Sequence, residues 1–172
     1  MKTGIFTAFV LICASFLVGK AAGEGISAVS KPRVNQLTSE LLLDKASRAF
    51  EEKNTEKAIR LFRASIKYNT RYAEAYYRLG VVYAYIRNFK EAVSCFRKAI
   101  KFRPDFPKAY LNLGSTYGQL KNYKQALFFY QKALALEEND PVIYYNIGAL
   151  YSAMGKQELA QEYFAKAKEL TP

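Results

Sequence analysis

Three hexapeptides, AYYRLG at 75–80, AYLNLG at 109–114 and IYYNIG at 143–148, follow one another at intervals of 34 residues. Each carries a tyrosine, then a leucine or isoleucine, then a glycine at matching places. A further tyrosine comes three residues after the glycine in every copy. Residues spaced i, i+3, i+4 and i+7 lie on one face of an α-helix. The hexapeptides therefore predict three successive helices that present the same face to their surroundings.

A second helix is predicted after each of these three helices. Polar breaks such as Arg87-Asn88 and Lys121-Asn122 are followed by amphipathic stretches in which alanine, an aromatic residue and alanine are spaced i, i+4 and i+7. The three sets are Ala92, Phe96 and Ala99; Ala126, Tyr130 and Ala133; and Ala160, Phe164 and Ala167. Each unit is thus predicted to be a pair of antiparallel helices joined by a short turn.

The glycine column needs a packing reason, because glycine inside a helix costs about 1 kcal/mol relative to alanine. Gly80, Gly114 and Gly148 each fall on the helix face that carries the tyrosines. We expect these glycines to let the second helix of the pair approach closely, with the aromatic side chains filling the space around the contact.

The 34-residue period divides the chain into four units, 39–72, 73–106, 107–140 and 141–172. The first unit is atypical, since Lys45 and Ala46 stand where the others have Leu-Gly or Ile-Gly, although Ala58 and Phe62 are retained. Terminal repeats are often atypical because one side of them meets solvent. The first unit is therefore predicted to be an N-terminal capping repeat.

The recurring positions of the aromatic residues, leucine, glycine and alanine resemble those of tetratricopeptide repeats. The resemblance covers residues 39–172 and includes closing prolines at Pro104 and Pro172. It implies an all-α fold, a right-handed superhelical solenoid of about four antiparallel helix pairs. It also implies that the first helices line a concave groove and the second helices form a convex back, with function residing in the groove side chains.

The first 23 residues have the features of a secretory signal peptide. Lys2 precedes an apolar run over 5–18, and small residues follow at 19–23. The apolar run is short against the ~20 residues of a membrane-spanning helix, so an uncleaved anchor is the minor alternative, together with lipidation of Cys13. Residues 24–38, which include Pro32, show no helical period and are predicted to be a flexible linker. The chain is therefore expected to be exported, to the periplasm or the medium.

The composition excludes several chemistries. The chain has no histidine, so neither a histidine-dependent nucleophile nor a histidine-bound metal is available. Loss of the signal peptide would leave Cys95 as the one thiol, which excludes an internal disulfide and a cysteine metal site. We expect a buried, inert thiol, with an intermolecular disulfide as the alternative. No enzyme activity, metal or cofactor is predicted.

The resemblance implies a set of groove residues that the helix-pair core does not require. They are Tyr77, Arg78, Val81, Tyr85, Lys108, Leu111, Asn112, Ser115, Gln119, Tyr145, Asn146, Ala149 and Ser152. Asn112 and Asn146 recur at the same place, and an amide can donate to and accept from the backbone of an extended peptide. Family members that bind acidic chaperone tails have a lysine and an asparagine where this chain has Tyr77 and Val81, so such tails are not expected to bind.

A second candidate surface lies on the convex back. The chain has a net charge of +11, and much of the excess falls on second helices, as with Arg60, Arg63 and Lys67. This surface favours an acidic partner or an anionic membrane, although a solvated basic face needs no partner. Phe128 is expected to be exposed there, where it either contacts a partner or a second copy or packs on the adjacent repeat. No nucleic-acid motif is present.

Overall fold

The computed structural model describes residues 30–171, and these residues form helices without strands. In chain order they are α1 (Lys31–Glu51), α2 (Thr55–Tyr68), α3 (Ala73–Tyr85), α4 (Phe89–Phe102), α5 (Pro107–Gln119), α6 (Tyr123–Leu134), α7 (Pro141–Ala153) and α8 (Gln157–Glu169). The predicted all-α helical repeat solenoid is confirmed. The predicted signal peptide, residues 24–29 and Pro172 lie outside the described residues.

The first helix is longer than the repeat predicts. It begins at Lys31, so the flexible linker predicted for 24–38 is wrong for residues 31–38. Pro32 lies in the first turn, where a helix does not need the missing N–H. The sequence did not predict the start of this helix, because Leu37 and Leu41 are 55% and 51% exposed and form no buried periodic face. The contacts divide the chain after Val34, and the repeat array belongs to the unit that starts at Asn35.

The second helices begin after the same kind of turn, and those of the first three units also share a cap. An asparagine caps each of these three helices by accepting a hydrogen bond from the backbone N–H three residues later, over 3.2 to 3.4 Å. The residue before the cap has a left-handed backbone in every unit. These residues are Lys53, Arg87, Lys121 and Gly155, with φ between 58° and 75°.

Gly155 offers a test of this turn, because a Cβ at that position would meet no atom within 4 Å. Any effect of Gly155→Ala therefore comes from the φ of +75°. We expect the variant to lower the free energy of unfolding by about 1 kcal/mol, and Gly155→Asn to lower it less because asparagine tolerates this conformation. Urea unfolding followed by circular dichroism measures both. Equal stability of the alanine variant and the parent would contradict this explanation.

The glycine column has the predicted packing role. An added Cβ would lie 2.7 Å from the Phe96 ring at Gly80, 2.6 Å from the Tyr130 ring at Gly114, and 2.8 Å from the Phe164 ring at Gly148. Each glycine therefore admits the aromatic ring of its own second helix. The rings of Phe96 and Tyr130 are buried by this contact and by the following unit, at 0% and 3% exposure.

Buried serines join the helices of the atypical first unit. Ser65 donates to the backbone oxygen of Ser39 over 2.7 Å, and Ser39 donates to the backbone oxygen of Ser65 over 3.0 Å. Both serines are 0% exposed, and their mutual bonds satisfy both hydroxyl donors. Ser65 therefore replaces the alanine of the other units without leaving an unpaired buried donor.

The curvature of the array follows from its contacts. Each helix of residues 55–169 packs on its neighbours in sequence, and α3 also contacts α5, as α5 contacts α7. No such contact joins α2, α4, α6 and α8 to one another. The first helices are therefore closer together than the second helices, so they line the inner, concave face.

Candidate protein-binding groove

The concave face displays exposed tyrosine side chains. Tyr85 is 64% exposed and Tyr145 is 59% exposed. Each ring contacts another aromatic ring. The ring centroids of Tyr85 and Phe50 are 5.3 Å apart, and those of Tyr145 and Phe164 are 5.2 Å apart. Among the other predicted groove residues, Arg78, Lys108, Gln119 and Ala149 are exposed, whereas Val81, Leu111, Asn112, Ser115, Asn146 and Ser152 are half-buried.

Tyr77, Val81 and Leu111 of the predicted groove residues also pack against the core, which corrects the expectation that the core does not require them. The Tyr77 ring lies 4.8 Å from that of Phe106 and 6.0 Å from that of Phe96. Leu111 packs against the cluster around Ile143. Tyr77 and Leu111 also bridge successive units, because Tyr77 is hydrogen-bonded to Asn112 and Leu111 packs beside Ile143.

The two asparagines make different internal bonds. Asn112 Nδ2 donates to Tyr77 Oη over 3.0 Å, across α3 and α5. Asn146 Nδ2 donates to the Val142 backbone oxygen over 2.7 Å, within α7. In the described part of the chain no donor reaches either Oδ1. The amides are therefore available as acceptors, whereas donation to a ligand would require these internal bonds to break.

The environment keeps Tyr77 a neutral phenol. Burial raises the pKa of Tyr77, the charge of Glu74 raises it further, and the hydrogen bond from Asn112 and the charge of Arg78 act in the opposite direction. Because the phenol is neutral at physiological pH, its oxygen accepts from Asn112 while its proton remains available for a further bond.

An ion-pair network borders the groove. Glu74 accepts from Arg78 Nε and from Arg103 Nη2, each over 2.8 Å. The Arg103 guanidinium also lies 3.5 Å from the centre of the Phe106 ring. One carboxylate paired with two guanidinium groups leaves a net positive charge here. The sequence pattern did not mark Glu74 as a site residue, although its i, i+4 spacing from Arg78 is a usable signal. Arg103 reaches the site from the end of α4, and no local pattern predicted that.

The convex back is basic, but its cations differ in their roles. Arg60 and Lys67 are exposed, whereas Arg63 Nη2 donates to Tyr83 Oη over 2.6 Å and so links the first two units. Phe128 is 48% exposed, as predicted. It contacts Phe129 edge to face at 5.1 Å, and Phe129, not Phe128, stacks on Tyr117 at 5.5 Å. A partner contact through Phe128 stays a prediction.

Cys95 is buried, as expected. Burial raises the pKa of its thiol from 9.0 to about 11, so folding favours the neutral form. The resulting stabilisation is complete below about pH 9 and is lost as the pH rises through about 11. Within residues 30–171, no group of side chains is suited to hold a metal ion, and no helix combines the length and hydropathy of a membrane span.

Alkylation tests the state of Cys95. We expect iodoacetamide at pH 8 to modify Cys95 slowly in the folded protein and rapidly in urea, because both burial and the raised pKa suppress the thiolate. Mass spectrometry of the peptide that contains Cys95 gives the two rates. Similar rates with and without urea would show that the thiol is accessible in the folded state.

The helix pairs and the exposed aromatic groove define a helical repeat scaffold. Tetratricopeptide repeat models match residues 73–106 and 107–140, and further models with the same description match 43–84 and 129–162. The chain belongs to the tetratricopeptide repeat family. It is accordingly a protein–protein interaction scaffold.

Solved structures agree with this assignment. A crystal structure of MamA is 27% identical to the chain, with a TM-score of 0.72 and coverage of 77% of each chain. MamA from Desulfovibrio magneticus RS-1 is 23% identical, with a TM-score of 0.72, and covers 77% of this chain and 75% of its own. TTC0263, a thermophilic TPR protein of Thermus thermophilus, is 24% identical, with a TM-score of 0.70 and coverage of 78% and 74%. No curated protein matches the chain.

Proposed function

We propose that this protein holds an extended segment of a partner protein in the concave groove of its repeat array. The observation that carries the proposal is the pair of exposed tyrosines, Tyr85 and Tyr145, on the inner helices. Exposed aromatic side chains supply contact area at a small cost in conformational entropy and are frequent in binding hot spots. They are placed along the groove, where a bound segment would meet them in succession.

Polar groups would fix the bound backbone. The Oδ1 atoms of Asn112 and Asn146 accept from backbone N–H groups of the partner, and the Tyr77 hydroxyl donates to a backbone carbonyl. These contacts do not depend on the partner's side chains. They favour an extended segment, because a helix already uses its own N–H and C=O groups.

The asparagines give the direct test of this proposal. We expect the double variant Asn112→Ala, Asn146→Ala to bind a peptide selected from an array at least about tenfold more weakly, since two hydrogen bonds from a bound backbone are lost. Fluorescence anisotropy of the labelled peptide gives the affinity.

Asn139→Ala is the matched control, because Asn139 is exposed in the loop before α7. Its affinity should equal that of the parent. The asparagine contacts are refuted if the double variant also binds like the parent, and groove binding is refuted if no array peptide binds the parent.

A second candidate function is assembly at an anionic membrane surface through the convex back. The supporting observation is the charge of α2 and α4, in which Glu56 and Glu91 are the acidic residues among many lysines and arginines. Co-sedimentation with vesicles of anionic lipid tests it at low and high salt. Salt-sensitive binding that Arg60→Gln with Lys67→Gln abolishes would favour this candidate.

Export is part of the same proposal and rests on the composition of residues 1–23. Cell fractionation followed by the intact mass of the purified chain tests it. A periplasmic or secreted product that lacks about the first 23 residues is expected, whereas a full-length product in the cytoplasm would contradict export.

A further inference from the structure

A cavity of about 680 Å³ lies at the end of the groove, between α7 and α8. Its lining includes Val142, Tyr145, Phe164, Ala167, Lys168 and Thr171. Apolar side chains predominate, and Lys168 contributes the cation. A volume of this size accommodates a large side chain together with part of its backbone.

The second unit has the same two aromatic positions, but there other side chains cover them. Tyr77 corresponds to Tyr145, and the Phe106 ring covers it at 4.8 Å. Phe96 corresponds to Phe164 and is 0% exposed, whereas Phe164 is half-buried. The cavity therefore corresponds to the apolar surface that Phe106 and the helix it caps, α5, cover in the second unit.

The outer face of α8 argues against another repeat as the occupant. Ile100 packs against the cluster that contains Phe106 and, from the next unit, Ala109, and Leu134 packs in the cluster with Ile143 and Ile147. The equivalent residue in α8 is Lys168. Likewise, Gln161 stands in the column that holds Ile59, Val93 and Leu127. A further helix pair in the same register would bury a lysine and a glutamine, which is costly without partners.

The apolar part of this end surface lies on the groove side. Val142 and Tyr145 are on the inner helix α7 and are 52% and 59% exposed, and α7 carries no charged residue. The surface is therefore continuous with the groove rather than with the convex back. In residues 30–171 no carboxylate lies within ion-pair distance of Lys168, whereas the neighbouring Lys166 pairs with Glu169 over 3.0 Å.

We propose that the cavity receives one large apolar side chain of the groove-bound segment, next to an acidic residue of that segment that pairs with Lys168. This inference rests on the proposed function and adds the chemistry of the partner. The apolar side chain would cover Val142, Tyr145 and Phe164, and the neighbouring carboxylate would complement the ammonium group of Lys168, which has no carboxylate partner within residues 30–171. The preferred partner is thus an extended segment that contains leucine, phenylalanine or tryptophan beside aspartate or glutamate.

A peptide array in matched sets tests this proposal with the full chain. Each set contains one parent peptide with an apolar residue beside an acid, the same peptide with serine in place of the apolar residue, and the same peptide with the amide in place of the acid. The parent peptides should bind best. Tyr145→Ser should weaken their binding about tenfold, and Lys168→Gln should weaken it about threefold. The effect of Lys168→Gln should vanish for the amide peptides.

Tyr85→Ser is the matched control, because Tyr85 is an exposed groove tyrosine outside the cavity. It should weaken all binding peptides alike. If Tyr85→Ser weakens binding while Tyr145→Ser and Lys168→Gln do not, the cavity proposal is overturned and groove binding stands. If no peptide binds the parent protein, both proposals are overturned. If Tyr145→Ser does not fold, Lys168→Gln still tests the proposal, because Lys168 is exposed and its replacement should leave the fold intact.

Discussion

Replacing Phe96 with alanine is expected to lower the free energy of unfolding by about 3–5 kcal/mol, the largest effect of any substitution considered for this protein. The Phe96 side chain is 0% exposed and fills the space beside Gly80. It also contacts Tyr77, which is hydrogen-bonded to Asn112 of the next unit. The substitution therefore leaves a cavity within one helix pair and loosens the contact between two pairs. Urea unfolding followed by circular dichroism measures the loss.

Phe164→Ala is the matched control for Phe96→Ala. Phe164 occupies the same place in its helix pair and contacts Gly148 in the same way, but it is half-buried, since among residues 30–171 only its own unit packs against it. The loss should be clearly smaller than for Phe96→Ala, since less apolar surface returns to water. Equal losses would show that cover by the following unit adds no stability.

Gly114→Ala is expected to lower the free energy of unfolding by about 1–3 kcal/mol, although alanine is the better helix former. The new Cβ would lie 2.6 Å from the Tyr130 ring and 3.1 Å from the backbone oxygen of Ala126. Tyr130 is 3% exposed and has little room to move. The helices α5 and α6 must therefore separate, and this cost exceeds the gain in helix propensity.

Gly118 provides the control for Gly114 within the same helix. A Cβ at Gly118 would lie 3.6 Å from a Leu150 methyl group, which is an ordinary contact. Gly118→Ala should therefore raise the free energy of unfolding, by up to about 1 kcal/mol. Opposite signs for the two variants are expected in the same unfolding measurement. A stabilising effect of Gly114→Ala would refute close packing as the reason for the glycine column.

The fold was predictable because each unit repeats its core. The tyrosine, leucine, glycine and alanine columns recur at a fixed period, and the local signals agree with them, as when Asn88 and Asn122 cap the second helices. The early start of α1 was not predictable in the same way. Its first turns carry Leu37 and Leu41 on an exposed face, so no buried periodic pattern marks them.

The groove was less predictable than the fold. The family pattern gave the positions that face inward, but it did not show that Tyr77 is held between two units or that Asn112 bonds to it. Those contacts depend on the angle between successive helix pairs. The ion pair of Glu74 with Arg103 likewise joins residues that are distant in sequence. Such contacts produce no repeating pattern in the amino-acid sequence, so the sequence of a single chain does not reveal them.

The central claim is that the concave face binds the partner, and nuclear magnetic resonance tests it most directly. Titration of the labelled protein with a peptide selected from the array would show which backbone amides change their chemical shifts. We expect the largest changes on α3, α5 and α7, around Tyr85, Asn112 and Tyr145, with little change on α4 and α6. Changes confined to α4 and α6, around Arg97 and Phe128, would contradict groove binding and would assign the interaction to the convex back.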